Sequence, residues 1–144
     1  MAIEIKTEIE INAPAADVWP VLTDFRSWED WNPFIKVAGT SRVGAKLLAE
    51  ITPPGKSSMK FTPIVQVVQP DKKLEWLGRV FFAGIFDGHH CFHLYKEATK
   101  TRFLHFETFT GLLAGPIMNK QAKATELGFK AMNRALKKQV ERKG

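Results

Sequence analysis

The chain holds one cysteine, one tyrosine and no long apolar run. With Cys91 alone, no disulfide can form within the chain, and a small buried thiol in a reduced protein is the expected state. No stretch approaches the ~20 apolar residues that a membrane-spanning helix needs. The opening residues, Met1 to Ile11, alternate charged and apolar side chains, which is unlike a signal peptide, so a cytoplasmic protein is expected. A phosphate-binding glycine loop, a nucleophile elbow and a cysteine pair at zinc spacing are all missing, as are internal repeats and low-complexity segments. None of the common catalytic signatures is therefore available to assign a reaction.

Set against the single tyrosine are eleven phenylalanines and four tryptophans. Aromatics without a hydroxyl suit an apolar interior with little aromatic hydrogen bonding. At 144 residues, with 44% hydrophobic and 25% charged side chains, the chain is expected to form one domain over 1–144. The net charge of +6 raises the question of an anionic partner. Lys120, Lys123, Lys130, Arg134, Lys137 and Lys138 all belong to the last segment, followed by Arg142 and Lys143. A solvated helix face, with cations favoured near the negative end of the helix dipole, accounts for them. No nucleic-acid partner is expected.

That last segment, from Gly115 or Pro116 to about Arg142, reads as one helix of about seven turns. Met118, Ala122, Phe129, Met132, Leu136 and Val140 fall on one face, beside small residues at Ala124, Gly128, Ala131 and Ala135. Such a helix needs a broad apolar surface to lie on. Most of the preceding chain reads as strand and can supply it. Ile3 to Ile11 alternates strictly. Five or six more strands follow: Phe34–Ala38, Ala45–Thr52, Ser58–Val68, Lys73–Phe82, Ile85–Glu97 and Thr101–Thr110. Within Ser58–Val68, Pro63 argues for an edge or a bulge. Two short helices separate the first strand from the rest. Asp17, Val18, Trp19 and Leu22 mark the first, in which Pro20 predicts a kink or an early stop. Trp28, Trp31 and Phe34 share a face of the second, which Asn32-Pro33 ends. The order predicts an α+β fold, an antiparallel sheet of about seven strands with its helices on one side.

Several stretches resemble SRPBCC domains, the superfamily of START lipid-transfer domains, plant pathogenesis-related proteins and bacterial polyketide cyclase/dehydrase and lipid-transport proteins. They are Ala13 to Trp19, Leu22 to Phe25, Trp28 to Phe34, Lys73 to Trp76, Gly88 to Leu94, Phe109 to Leu113 and Gly128 to Lys137. The resemblance runs from about Ile5 to Arg142. It implies a helix-grip fold, with the sheet curled around the C-terminal helix over a hydrophobic cavity. It carries no universal catalytic set, and Pro20 departs from the usual first helix.

Among polar groups, His89, Cys91 and His93 share one strand face and His90 the other. A metal on the His89–Cys91–His93 row lacks an evident partner from another strand, so these read as surface residues and no metal or other cofactor is expected. His90, flanked by Phe86, Phe92 and Leu94, is expected to point inward and to meet His105 and Glu107. The expected cavity, of about 300–1,000 Å³, is bounded by Trp28, Trp31, Phe61, Trp76, His90, Phe92, His105, Glu107, Phe129 and Met132. A hydrophobic small molecule, a lipid or polycyclic aromatic, is the expected ligand of a monomer or weak homodimer. The alternative is a polyketide cyclase or aromatase that uses His90, His105, Glu107 or Arg79 for proton transfer.

Overall fold

The computed structural model describes residues 2–80 and 82–143. Its elements are β1 (Ile3–Ile11), α1 (Ala15–Thr23), a 3-10 turn (Phe25–Ser27), α2 (Trp28–Trp31), β2 (Ile35–Ala38), β3 (Leu48–Ile51), β4 (Met59–Phe61), β5 (Ile64–Gln69), β6 (Lys73–Val80), β7 (Phe86–Glu97), β8 (Lys100–Thr110) and α3 (Ala114–Lys143). The predicted continuation of β6 to Phe82 passes through Phe81, outside the described residues, as is Gly144. Among the described residues no helix is long and apolar enough to cross a membrane.

Among the described residues eight strands form, not seven, because the expected strand Ser58–Val68 breaks at Thr62-Pro63. Proline has no amide hydrogen to give a ladder. Its carbonyl still accepts from the Leu47 amide at 2.8 Å, and the chain passes there from one antiparallel sheet to another. One sheet is β2-β3-β4, the other β1-β8-β7-β6-β5. A register shift between Val65 and Val67 then turns the apolar face over: Val65 is buried, but Val68, not Val67, pairs with buried Leu74. Met59, Phe61, Val65 and Val67 therefore do not share one buried face, and Met59 is exposed.

Helix α1 runs through Pro20 to Thr23 instead of stopping there. The exposed ring of Pro20 lies on the wet side of the helix, where the carbonyl one turn earlier can be hydrated. Buried Asn32 ends α2 and starts β2, its Oδ1 accepting from the amides of Phe34 and Ile35 at 2.9 and 3.0 Å. This local bond fixes the tight entry to β2.

The concave face of the larger sheet carries Ile5, Leu74, Trp76, Phe92, Phe103 and Phe109, and α3 covers it with Met118, Phe129, Met132, Leu136 and Val140, all buried. Trp28 fills the end of this core against Phe25, Trp76 and Phe92, with ring centroids 5.3–6.1 Å apart. Its Nε1 donates to the Leu22 carbonyl at 3.0 Å, so the one polar atom of the ring is satisfied. Lys130 and Arg134 are exposed as the periodicity predicts. Lys137 is half-buried: its Nζ donates to the Glu10 carbonyl at 2.9 Å and pairs with Glu141 at 2.7 Å. Glu141 in turn accepts from the Asn12 amide, so this end of α3 is clipped to the end of β1.

Candidate functional site

Cross-strand register assembles the site. Trp76 of β6, His90 of β7, Glu107 of β8 and Ile5 of β1 lie in one row across the sheet. The next row is Leu74, Phe92, His105 and Thr7; on the other side lies Gly78, Gly88, Phe109 and Ile3. Side chains opposite one another point to the same face, so the imidazoles of His90 and His105, one row apart on adjacent strands, meet under α3.

Both histidines are completely buried. Their Nε2 atoms are 2.7 Å apart, and Nδ1 of His105 is 2.9 Å from Oδ1 of Asn133 on α3. Asn133 Nδ2 donates to Thr7 Oγ1 at 2.8 Å, and that hydroxyl donates to the His105 carbonyl at 2.8 Å. These bonds fix the protons. The Thr7 hydrogen is committed to a carbonyl, so its oxygen accepts from the Asn133 amide, and Oδ1 must face His105. His105 therefore donates from Nδ1, leaving Nε2 to accept from Nε2–H of His90. Burial, with repulsion from His90, holds the His105 imidazole well below its ordinary pKa, and the Asn133 bond opposes this only in part. It is neutral, as the hydrogen bonds require.

With Nε2 of His90 donating, its Nδ1 faces Oε1 of Glu107 at 3.2 Å. The oxygen lies off the ideal N–H direction, and Nδ1 has no aligned hydrogen-bond partner among the described residues. The Glu107 carboxyl thus stands at the end of a row of contacts that runs through His90 and His105 to Asn133. Gly88 makes room for it: a Cβ there would run into the Glu107 carboxyl.

Glu107 and His90 line a narrow apolar crevice between the sheet and the first third of α3. Its other walls include Phe34, Phe61, Trp76, Phe86, Phe109 and Met118, with Gln121 and Thr125 from the helix. The volume is about 60 Å³, room for a few waters and well below the expected cavity. The reason is packing. Trp28, Phe92, Phe129 and Met132, expected to line a void, fill it instead, and each is fully buried. The His105 ring stacks on Phe129, centroids 4.0 Å apart. A wider hollow of about 500 Å³ lies outside β2 and β3, but it is a surface groove among Arg26, Glu29, Lys36, Glu50 and Lys60 with no buried ionisable group.

Of the residues expected at the site, Phe61, Trp76, His90 and Glu107 line the crevice, and His105 stands directly behind His90. Trp31 is half-buried on α2, beside Trp28, with Nε1 bonded to Ser27 Oγ at 3.3 Å and no place in the crevice. Arg79 faces outward and pairs with Asp87 at 3.7 Å, so it takes no part in proton transfer here. Sequence reading missed Gln121 and Thr125. Their signal was present: Met118, Gln121, Thr125, Phe129 and Met132 step by three and four along α3, two polar residues inside an apolar stripe. Gly78 directly opposite Gly88 was a second signal, a stretch of wall without side chains.

The outer face also differs from expectation. Glu75 of β6 lies opposite Cys91, and its carboxylate reaches His89 at 2.9 Å and His93 at 2.6 Å. The row therefore has a partner from another strand, and Cys91 and His93 are buried instead of wet. Burial first, then Glu75, pushes the Cys91 thiol up to about 12, so it is a poor nucleophile.

A curved antiparallel sheet closed around one long C-terminal helix, with a polar relay buried beneath it, defines a helix-grip protein. The chain belongs to the polyketide cyclase/dehydrase and lipid transport family, which matches residues 2–141. Among solved structures it is similar to the Zhui aromatase/cyclase from Streptomyces sp. R1128, with a TM-score of 0.79 at 18% identity over 99% of this chain and 95% of that one. Norcoclaurine synthase from Thalictrum flavum, a point mutant bound to a transition-state analogue, superposes with a TM-score of 0.75 at 17% identity, over 100% and 98% of the two chains. A START superfamily protein from Mycobacterium smegmatis gives 0.73 at 19%, over 98% and 99%. No curated protein sequence matches the chain significantly.

Proposed function

We propose that the chain binds one small, largely apolar molecule in the crevice under the first third of α3, with a polar group of that molecule directed at Glu107 and Gln121. The observation that carries this is the pairing of an apolar lining with one buried and one nearly buried acceptor. Glu107 is nearly buried, and Gln121 Oε1 is buried with no hydrogen-bond partner among the described residues. A buried acceptor without a donor costs about 1–3 kcal/mol, which a ligand hydroxyl or amine would recover. Entry requires the crevice to widen, because a few waters occupy less room than any lipid or polycyclic aromatic.

A second reading is catalytic. His90 Nδ1 and the Glu107 carboxyl face each other at 3.2 Å on the crevice wall, backed by a neutral His105 oriented through Asn133. Glu107 would exchange a proton with a bound ring carbonyl or enol, and His90 would restore it. Two structural neighbours bear the names of an aromatase/cyclase and a synthase, which supports this reading for a family member.

The test is titration of a hydrophobic fluorophore, with native mass spectrometry of freshly purified protein to find a co-purifying ligand. His90→Phe, which changes the crevice wall, is expected to shift affinity several-fold. His89→Phe, on the opposite face, is expected to leave it unchanged. Equal responses from the two variants would overturn the assignment of the site.

A further inference from the structure

We propose that Glu75, His89 and Cys91 form a Zn²⁺ site on the outer face of the larger sheet, with His93 positioning the carboxylate. The register brings them together. Cys91 lies directly opposite Glu75, and His89 and His93 stand two residues to either side of Cys91, so all four side chains leave the same face. A carboxylate oxygen, an imidazole nitrogen and the thiol sulfur of the first three lie within 4.8 Å of one another.

Tetrahedral zinc with bonds of about 2.0–2.3 Å sets its donors about 3.3–3.8 Å apart. Closing the cluster by about 1 Å is within reach of side-chain rotation, and the half-exposed His89 has the freedom to move. Oε1 of Glu75, now 2.9 Å from His89 Nε2, and that nitrogen would both turn to the cation. Oε2 is already held by His93 Nε2 at 2.6 Å, the kind of outer hydrogen bond that orients a ligating carboxylate. The sulfur lies beside the Glu75 carboxylate and makes a long, weak 3.9 Å contact to the His89 carbonyl. On binding, the thiol gives its proton to solvent and the thiolate bonds to zinc. Solvent completes the fourth position on the His89 side. Mixed thiolate, imidazole and carboxylate donors suit Zn²⁺ over the hard cations Mg²⁺ and Ca²⁺.

The closing experiment uses tag-free, reduced, chelator-stripped full chain, titrated with Co²⁺ as a spectroscopic stand-in and with Zn²⁺ against a chromophoric chelator. One equivalent should bind with a thiolate-to-cobalt charge-transfer band, and Zn²⁺ should displace it and raise the melting temperature. Cys91→Ser should abolish the band and the thermal shift. Glu75→Gln, which keeps the shape, should weaken Zn²⁺ at least tenfold, and His93→Gln about tenfold. Absence of the thiolate band in the unmodified chain overturns the proposal. So does Zn²⁺ affinity unchanged in both Cys91→Ser and Glu75→Gln.

Discussion

Nε2 of His90 lies 2.7 Å from Nε2 of His105, and neither ring is accessible to water. Two histidines at this distance tolerate one proton between them, not two. The hydrogen bonds of Asn133 and Thr7 assign that proton to His90. His105 is thereby kept neutral in the fold.

The pH dependence follows. The folded pKa of His105 is depressed below its ordinary value of 6.5, so the unfolded chain binds the extra proton first as pH falls. Its contribution to stability is fully present above that value and is lost progressively below it, toward the depressed folded pKa. One such proton gives a slope of up to about 1.4 kcal/mol per pH unit. Thermal melts between about pH 8 and pH 5 should show a steeper decline for the unmodified chain than for His105→Gln. Parallel declines would mean that His105 titrates alike in the folded and unfolded chain, and so is not depressed by the fold.

Asn133 joins α3 to the sheet through both ends of its amide. Asn133→Leu leaves the His105 Nδ1–H buried without an acceptor and is expected to destabilise by about 2 kcal/mol in urea unfolding. Thr7→Val removes the hydroxyl that the amide serves. The double variant should lose less than the sum of the two single losses, since both break one network. Simple additivity would show that the chain of bonds is not cooperative.

Gly128 lies under the ring of Phe34, and a Cβ there would overlap the ring. Alanine in a helix interior is ordinarily favoured over glycine by about 1 kcal/mol. Overpacking costs about 1–3 kcal/mol, and Phe34 is itself held against Phe129 at 5.7 Å. Gly128→Ala is therefore expected to destabilise by about 1 kcal/mol despite its better helix propensity. A rise in the unfolding midpoint would show that Phe34 moves freely.

Gln121→Leu separates stability from binding. It removes a buried oxygen that has no partner among the described residues, so the free protein is expected to gain about 1 kcal/mol. A fluorophore bearing a hydroxyl or amine should bind the variant more weakly, while an all-hydrocarbon probe should not. Identical changes for both probes would remove Gln121 from ligand recognition.

Local pattern carried a large part of this fold. Strict alternation from Ile3 to Ile11 and the three-four spacing from Met118 to Val140 each depend only on backbone periodicity, so β1 and α3 were legible at once. Alternation also separated His90 from His89. Pro63 announced an irregularity, but whether it meant a bulge, an edge or a change of sheet depended on what Leu47 and Ala45 offered its neighbours.

What only tertiary structure decided were the relations between residues far apart in the chain. Thr7 and Asn133 are bonded across 126 positions, and His105 and Asn133 across 28. Hydrogen bonds of that kind depend on where α3 comes to rest along the sheet, which no periodicity encodes. The same placement settled the crevice. Apolar spacing named Phe92, Phe129 and Met132 as inward residues, but inward positions either fill a core or line a hollow. Close packing of Phe129 on His105, and of Phe34 over Gly128, filled the space beneath the later turns of α3 and left the opening beneath the first third. The sequence alone determined the inward face of the regular elements β1 and α3; the seating of one helix on one sheet decided which inward side chains meet.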